Sequence, residues 1–165
     1  MSPPPARSLL APEHVAMVAK GVSTIVSSRD AALRPSLMRA VGSCITPDGS
    51  EITVYLARSQ SGQLLQDIAS TGHLAVVFSE PATHRSVQLK AGAATLRPAT
   101  ESDRAVLARY VASMEHEVAR VGFPPPLTRA MLACRLDDVV AVTFAPEEAY
   151  DQTPGPRAGK SLEGR

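Results

Sequence analysis

The chain has 165 residues with a formal net charge of +1, 44% hydrophobic and 20% charged. That is the size and balance of one ordinary domain with its own core. It excludes the concentrated basic charge that a nucleic-acid or anionic-membrane partner requires, and the apolar runs are far shorter than the roughly 20 residues of a membrane helix.

Residues 1–11 read as a flexible start, rich in proline and without periodicity. Pro12 suits a first helical position, Glu13 favours the first turn and Gly21 stops the helix. Residues 22–26 are β-rich, and 34–45 read as one longer extended stretch. Pro47-Asp48-Gly49 is a turn, because proline presets φ and glycine accepts a positive φ. Its hairpin partner spans 52–56, with Ile52, Val54 and Leu56 on one face.

A short helix follows over 59–71, with Leu64, Leu65 and Ile68 inward and Gly72 at its end. Residues 74–78 (LAVVF) read as a strand buried on both faces. After a turn at Glu80-Pro81, residues 85–97 read as a second long strand, with a bulge at Gly92. Thr100 and Asp103 resemble a capping box opening a helix over 101–121. Leu107, Tyr110, Val111, Met114, Val118 and Val121 form its apolar stripe. A proline break, a second short helix over 124–133 and a buried strand over 139–144 complete the order. Strands dominate and do not alternate regularly with helices. This predicts an α+β, β-dominated fold, a closed or partly closed barrel with peripheral helices. One domain is expected over 12–150, followed by an extended C-terminal tail over 151–165.

Cys44 and Cys134 have no metal-ligand spacing, and His14, His73, His84 and His116 are scattered, so no metal site is expected. His116 reads as a surface residue between Glu115 and Glu117. Two unpaired thiols and the absence of a signal-peptide pattern give a cytoplasmic expectation. No motif supports hydrolase, zincin, P-loop or dinucleotide-binding chemistry.

Three stretches carry polar chemistry. Alternation in the strand at 85–90 puts Ser86 and Gln88 on one face with Lys90; both suit the edge of a heterocycle bearing carbonyls and ring nitrogens, while solvent is the plain alternative. Arg34 and Arg39 can hold a phosphate or be solvated. Arg58, Ser59, Ser61 and Gln63 pass from a strand end into a helix N-terminus, where free N–H groups attract phosphate and where a serine is also an ordinary cap.

Taken together, the segments resemble the pyridoxamine 5′-phosphate oxidase-like family over about residues 22–144. Pro35-Ser-Leu-Met-Arg39 is similar to the strand whose arginine meets the FMN phosphate. Ser61-Gly-Gln63 is similar to the Ser-Arg-Lys segment, and residues 85–92 to the Arg-Gln-Val-Arg-Val-x-Gly strand. The resemblance implies a split β-barrel and a homodimer with FMN between the subunits. It makes Arg39, Ser61 and Gln63 phosphate-side candidates, with Arg58 able to compensate for a lost charge and Ser59 beside it in the same segment, and Ser86 and Gln88 ring-side candidates. It implies a flavin-dependent oxidoreductase acting on a small redox substrate. The alternatives are a flavin, deazaflavin or haem carrier without turnover, or a member that keeps the fold and binds no cofactor. No catalytic residue is indicated. Two departures stand out: the family lysine is Gln63, and there is no tryptophan, which speaks against pyridoxamine phosphate as substrate. The Gln-Thr-Pro-Gly-Pro segment at 152–156 is expected to reach toward the pocket or the partner.

Overall fold

The computed structural model describes residues 9–162. The architecture is mixed α/β, with two antiparallel sheets and, among the described residues, four α-helices. Residues 1–8 of the expected flexible start lie outside that range; Leu10, near its end, is buried in the core.

Helix α1 (Pro12–Lys20) starts at a proline and ends at Gly21, as its sequence predicts. The chain then runs through β1 (Ser23–Arg29), β2 (Pro35–Arg39), β3 (Gly42–Ile45) and β4 (Ile52–Ala57). Gly49, in the turn between β3 and β4, has a φ of 73°. A 3-10 turn at Arg58–Gln60 leads into α2 (Gly62–Thr71), which begins three residues later than the sequence suggests. Strands β5 (Leu74–Ser79), β6 (Ser86–Ala91) and β7 (Thr95–Pro98) follow, then α3 (Arg104–Ala119) and α4 (Pro125–Met131). The Thr100–Asp103 capping box is present, one 3-10 turn ahead of α3. Strands β8 (Val139–Phe144), β9 (Glu148–Asp151) and β10 (Lys160–Ser161) close the order.

One sheet has the order β10-β9-β6-β5-β1-β2 and the other β3-β4-β8-β7. Two stretches that read as single long strands are divided between them. Residues 34–45 break at 40–41, where Ala40 N–H donates to Thr24 and the next N–H, of Val41, donates to Tyr55 in the other sheet. Residues 85–97 break at 92–94, where Gly92 N–H donates to the Glu147 carboxylate and Ala94 N–H to the Gly72 carbonyl. The composition stays β-rich through both crossings, so alternation alone cannot show the change of partner.

The main core lies between the sheets. Val26, Val76, Phe78 and Leu89 face Ile52, Val54, Leu56, Val142 and Phe144, all essentially buried. The other face of the four-stranded sheet is buried too. Val41, Tyr55, Ala57, Val139 and Ala141 pack beneath Leu107 of α3. Tyr110, Met114 and Leu132 join α3 to α4. Val121 leaves the expected stripe and is exposed, because the helix ends at Ala119 and the chain turns away at Gly122.

The β5 expectation needs correction. Leu74, Val76 and Phe78 are buried, whereas Ala75 and Val77 are only partly covered. The six-stranded sheet therefore has a second, half-open face. The segment expected as an extended tail folds back: Lys160 and Ser161 pair with Asp151 and Tyr150, and Leu162 is buried in the core. No helix is long and apolar enough to cross a membrane among the described residues.

Candidate functional site

The open face of the six-stranded sheet is built by alternation. Met38 of β2 packs on the core while Leu37 is 63% exposed, so Leu37 and Arg39 point to the outer side. The registers then give one cross-strand row: Arg39 pairs with Ile25, Ile25 with Val77, Val77 with Gln88, and Gln88 with Tyr150. Arg39 and Gln88 share a face and a row, three strand spacings or about 14 Å apart. Between them Ile25 and Val77, with Ala75 one row over, form a partly covered apolar floor.

Polar groups border that floor on the β6 side. The Ser86 hydroxyl lies 2.8 Å from that of Ser79, and Gln152 Nε2 donates to Gln88 Oε1 at 3.2 Å. The chain after β9 runs along β6: Gln152 N–H donates to the Ser86 carbonyl, and Ser86 N–H donates to Thr153 Oγ1 at 3.0 Å. The Gln-Thr-Pro-Gly-Pro segment thus reaches Ser86 and Gln88. Asp151 anchors it from the core side. Burial pushes this carboxyl up; hydrogen bonds from Thr153 and the Arg157 and His14 charges outweigh that and lower it. Lys90, also on the outer face, sits 4.8 Å above the Tyr150 ring and 3.9 Å from Glu148. Next to it, Ser27, Arg29, His73, Ala75, Lys90 and Glu148 help line a cleft of about 410 Å3.

The phosphate-side candidates are not gathered in one place. Helix α2 packs on the core side of the sheet through Leu64, Leu65 and Ile68, opposite the face that carries Arg39. Gln63 Nε2 donates to Asp67 Oδ1 at 2.8 Å, and the other Asp67 oxygen accepts from Ser36 at 2.5 Å. Arg34 is held by Asp30 at 2.7 Å. Ser59 gives both its N–H and its hydroxyl to Asp138. Arg58 is exposed. Ser61, at the start of α2, is 2% exposed, and its hydroxyl has no partner among the described residues.

Several buried acidic residues escaped the sequence reading. Glu117, expected on a solvent-facing stretch, is 1% exposed. With Glu80 it takes the Lys20 ammonium, at 2.8 and 2.5 Å, tying α1 and α3 to the β5–β6 turn. Replacing Lys20 with methionine leaves the two buried carboxylates with only the longer pairs, Glu80 with Arg85 at 3.7 Å and Glu117 with Arg120 at 3.5 Å. Allowing for a half-exposed ammonium, a loss of about 2 kcal/mol is expected in chemical denaturation; an unchanged midpoint would show the cluster to be neutral. Asp67 is 2% exposed, and its i,i+4 spacing from Gln63 was the available signal.

No family model matches the chain, and no curated protein does. Solved structures do. A candidate pyridoxamine 5′-phosphate oxidase from Lactobacillus delbrueckii is 16% identical, with a TM-score of 0.55 covering 88% of this chain and 96% of that one. The fold is that of the pyridoxamine 5′-phosphate oxidase-like proteins. HupZ of Group A Streptococcus gives a TM-score of 0.55 at 11% identity over 91% of this chain and 99% of its own. An F420 reductase gives 0.55 at 12% identity over 81% and 93%.

Tested against FMN, the cofactor that the sequence resemblance implies, the residues fit on one side. An apolar floor edged by two amides suits a flat heterocycle with polar edges. On this face the cation available to a phosphate is Arg39; Ser61 and the start of α2 go with the helix to the core side of the sheet and do not join it. Gln63 in place of lysine and the buried Asp67 carboxylate remove positive charge there.

Proposed function

We propose that this protein binds a flavin-type cofactor, FMN in the first place, on the outer face of the six-stranded sheet, and serves as an oxidoreductase. The row Arg39–Ile25–Val77–Gln88 carries this reading. It provides, in order, a cation, an apolar floor and an amide edge. The two sheets would be the halves of a split barrel, and a second copy of the chain would cover the half-open face as a homodimer. Leu37, 63% exposed on that face, is the kind of residue such a partner would bury. When bound, the flavin supplies the redox chemistry, and the chain supplies orientation, a dry floor and electrostatics. Ile25 and Val77 would exclude water from one ring face. Gln88 and Gln152 would fix the ring edge. Arg39 would draw the phosphate.

The first test is direct. Purified protein titrated with FMN should quench its fluorescence at one site per chain; no uptake would end the flavin reading. Arg39→Ala should weaken FMN binding by about tenfold to a hundredfold, the value of one charge-assisted contact. An unchanged affinity would move the phosphate elsewhere. A second reading has an observation of its own. Gln63 is spent on Asp67 where a lysine would meet phosphate, which favours a member that carries a cofactor without turnover, or keeps the fold and binds none.

A further inference from the structure

We propose that Gln152 is a specificity residue: by holding Gln88 in one orientation, it makes the site select a ring edge in which a carbonyl lies beside an N–H. This rests on the flavin reading above and says which part of the ligand is read, and by what.

A glutamine amide has one acceptor and one two-proton donor, and alone it can turn over to satisfy either kind of partner. Here Gln88 cannot turn freely. Its Oε1 accepts from Gln152 Nε2 at 3.2 Å, so its Nε2 is left facing outward as a donor. The same bond spends a proton of Gln152 Nε2 and leaves Gln152 Oε1 as an acceptor. Neither remaining atom has a partner among the described residues. One hydrogen bond therefore sets two functions at once, a donor from Gln88 and an acceptor from Gln152. Their complement is an acceptor beside a donor, which is the carbonyl and N–H of an imide.

The backbone, and not a ligand, brings the two amides together. Gln152 stands where it does because its own N–H bonds the Ser86 carbonyl and because Thr153 receives the Ser86 N–H. Asp151, 4% exposed, fixes the step before it by accepting from Thr153 N–H and pairing with Arg157 at 3.0 Å. Gln88 lies on the floor row itself, level with Val77. Both amides are half-buried, so they remain within reach of a ligand on this face. The two neighbouring hydroxyls are already engaged: Ser86 with Ser79, and Thr153 with the Ser86 backbone. The amide pair is thus the polar feature of this edge left to read a ligand.

The test compares FMN with 3-methyl-FMN, which keeps the ring and phosphate and loses the imide proton. Wild-type protein should prefer FMN about tenfold, the cost of one unmet buried hydrogen bond. Gln152→Ala should bring that ratio close to one while leaving phosphate recognition, read with inorganic phosphate as competitor, unchanged. Gln152→Glu should weaken FMN itself, because a carboxylate accepts from Gln88 Nε2 and turns the Gln88 carbonyl toward the ligand. If wild-type protein binds both ligands equally, the inference is overturned while the flavin reading stands, and this needs no variant to fold. A ratio untouched in Gln152→Ala overturns it as well. Failure to bind either ligand ends both readings.

Discussion

Replacing Asp103 with alanine is expected to destabilise the protein by about 3 kcal/mol, read as a lower urea midpoint with an unchanged slope. Asp103 is 4% exposed and accepts from Arg97, Tyr55 and Thr100, whose hydroxyl reaches it at 3.3 Å. Arg97 grips it with two nitrogens at 2.7 and 2.8 Å, the Tyr55 hydroxyl donates at 2.8 Å, and Thr100 N–H donates at 2.8 Å. Alanine removes the acceptor from all of them. Tyr55, 2% exposed, keeps only the weak Cys44 thiol at 3.9 Å, and the start of α3 loses its capping box. Because Arg97 is half in solvent, it can rehydrate, which holds the expected loss at the low end for a buried pair. A loss under about 1 kcal/mol would show that Tyr55 and Thr100 find substitutes.

The same carboxylate sets an acid dependence. Arg97, above all, holds the Asp103 carboxyl far below its ordinary value of 3.8, with help from Thr100 and Tyr55 against the opposing effect of burial. The folded state therefore binds this proton less readily than the unfolded chain. The stabilisation is complete above 3.8 and declines as the pH falls below it toward the folded value. Wild-type protein should lose stability steeply in that range. The Asp103→Ala variant should show a flatter profile there, since it has no such proton to take up.

Local signals made the helices legible. Thr100 and Asp103 announce α3, and Pro12 and Gly21 bracket α1, because caps and stops involve residues within a turn of each other. Alternation likewise placed Ser86 and Gln88 on one face of β6. What alternation cannot supply is the partner of a strand. The change of sheet at residues 40–41 depends on Thr24 and Tyr55, and nothing near Ala40 marks it. For the same reason the sequence could name Arg39 and Gln88 separately, but not show that Ile25 and Val77 join them in a row. The engagement of Ser59 by Asp138, 79 positions away, and of Gln88 by Gln152, 64 positions away, is equally invisible to a local reading. Both remove polar atoms from the pool that the sequence treats as free. The row and the amide pair are properties of register, and register is fixed by the whole sheet.

Gly72→Val is expected to be the most damaging single change in the elements that shape the site, at about 3 kcal/mol or more in denaturant unfolding. Gly72 ends α2 with a φ of 72°, a conformation a β-branched residue strongly resists. Space is a second and independent obstacle. A Cβ at this position would stand 2.6 Å from the Gly92 carbonyl oxygen, which is backbone and cannot swing aside. That carbonyl belongs to the crossing between β6 and β7, where Ala94 N–H bonds the Gly72 carbonyl. Relief of the clash must therefore push apart the end of α2 and the sheet crossing, at the point from which β5 and β6 depart. Those strands carry Val77 and Gln88, so the variant should lose ligand affinity together with stability. Gly72→Ala separates the two costs, because it has the same Cβ clash and a milder φ penalty. If alanine is as harmful as valine, the close approach to Gly92 dominates; if alanine is tolerated, the added cost of valine is the backbone conformation of a β-branched residue, and the end of α2 and the sheet crossing are less rigidly coupled than their hydrogen bond implies.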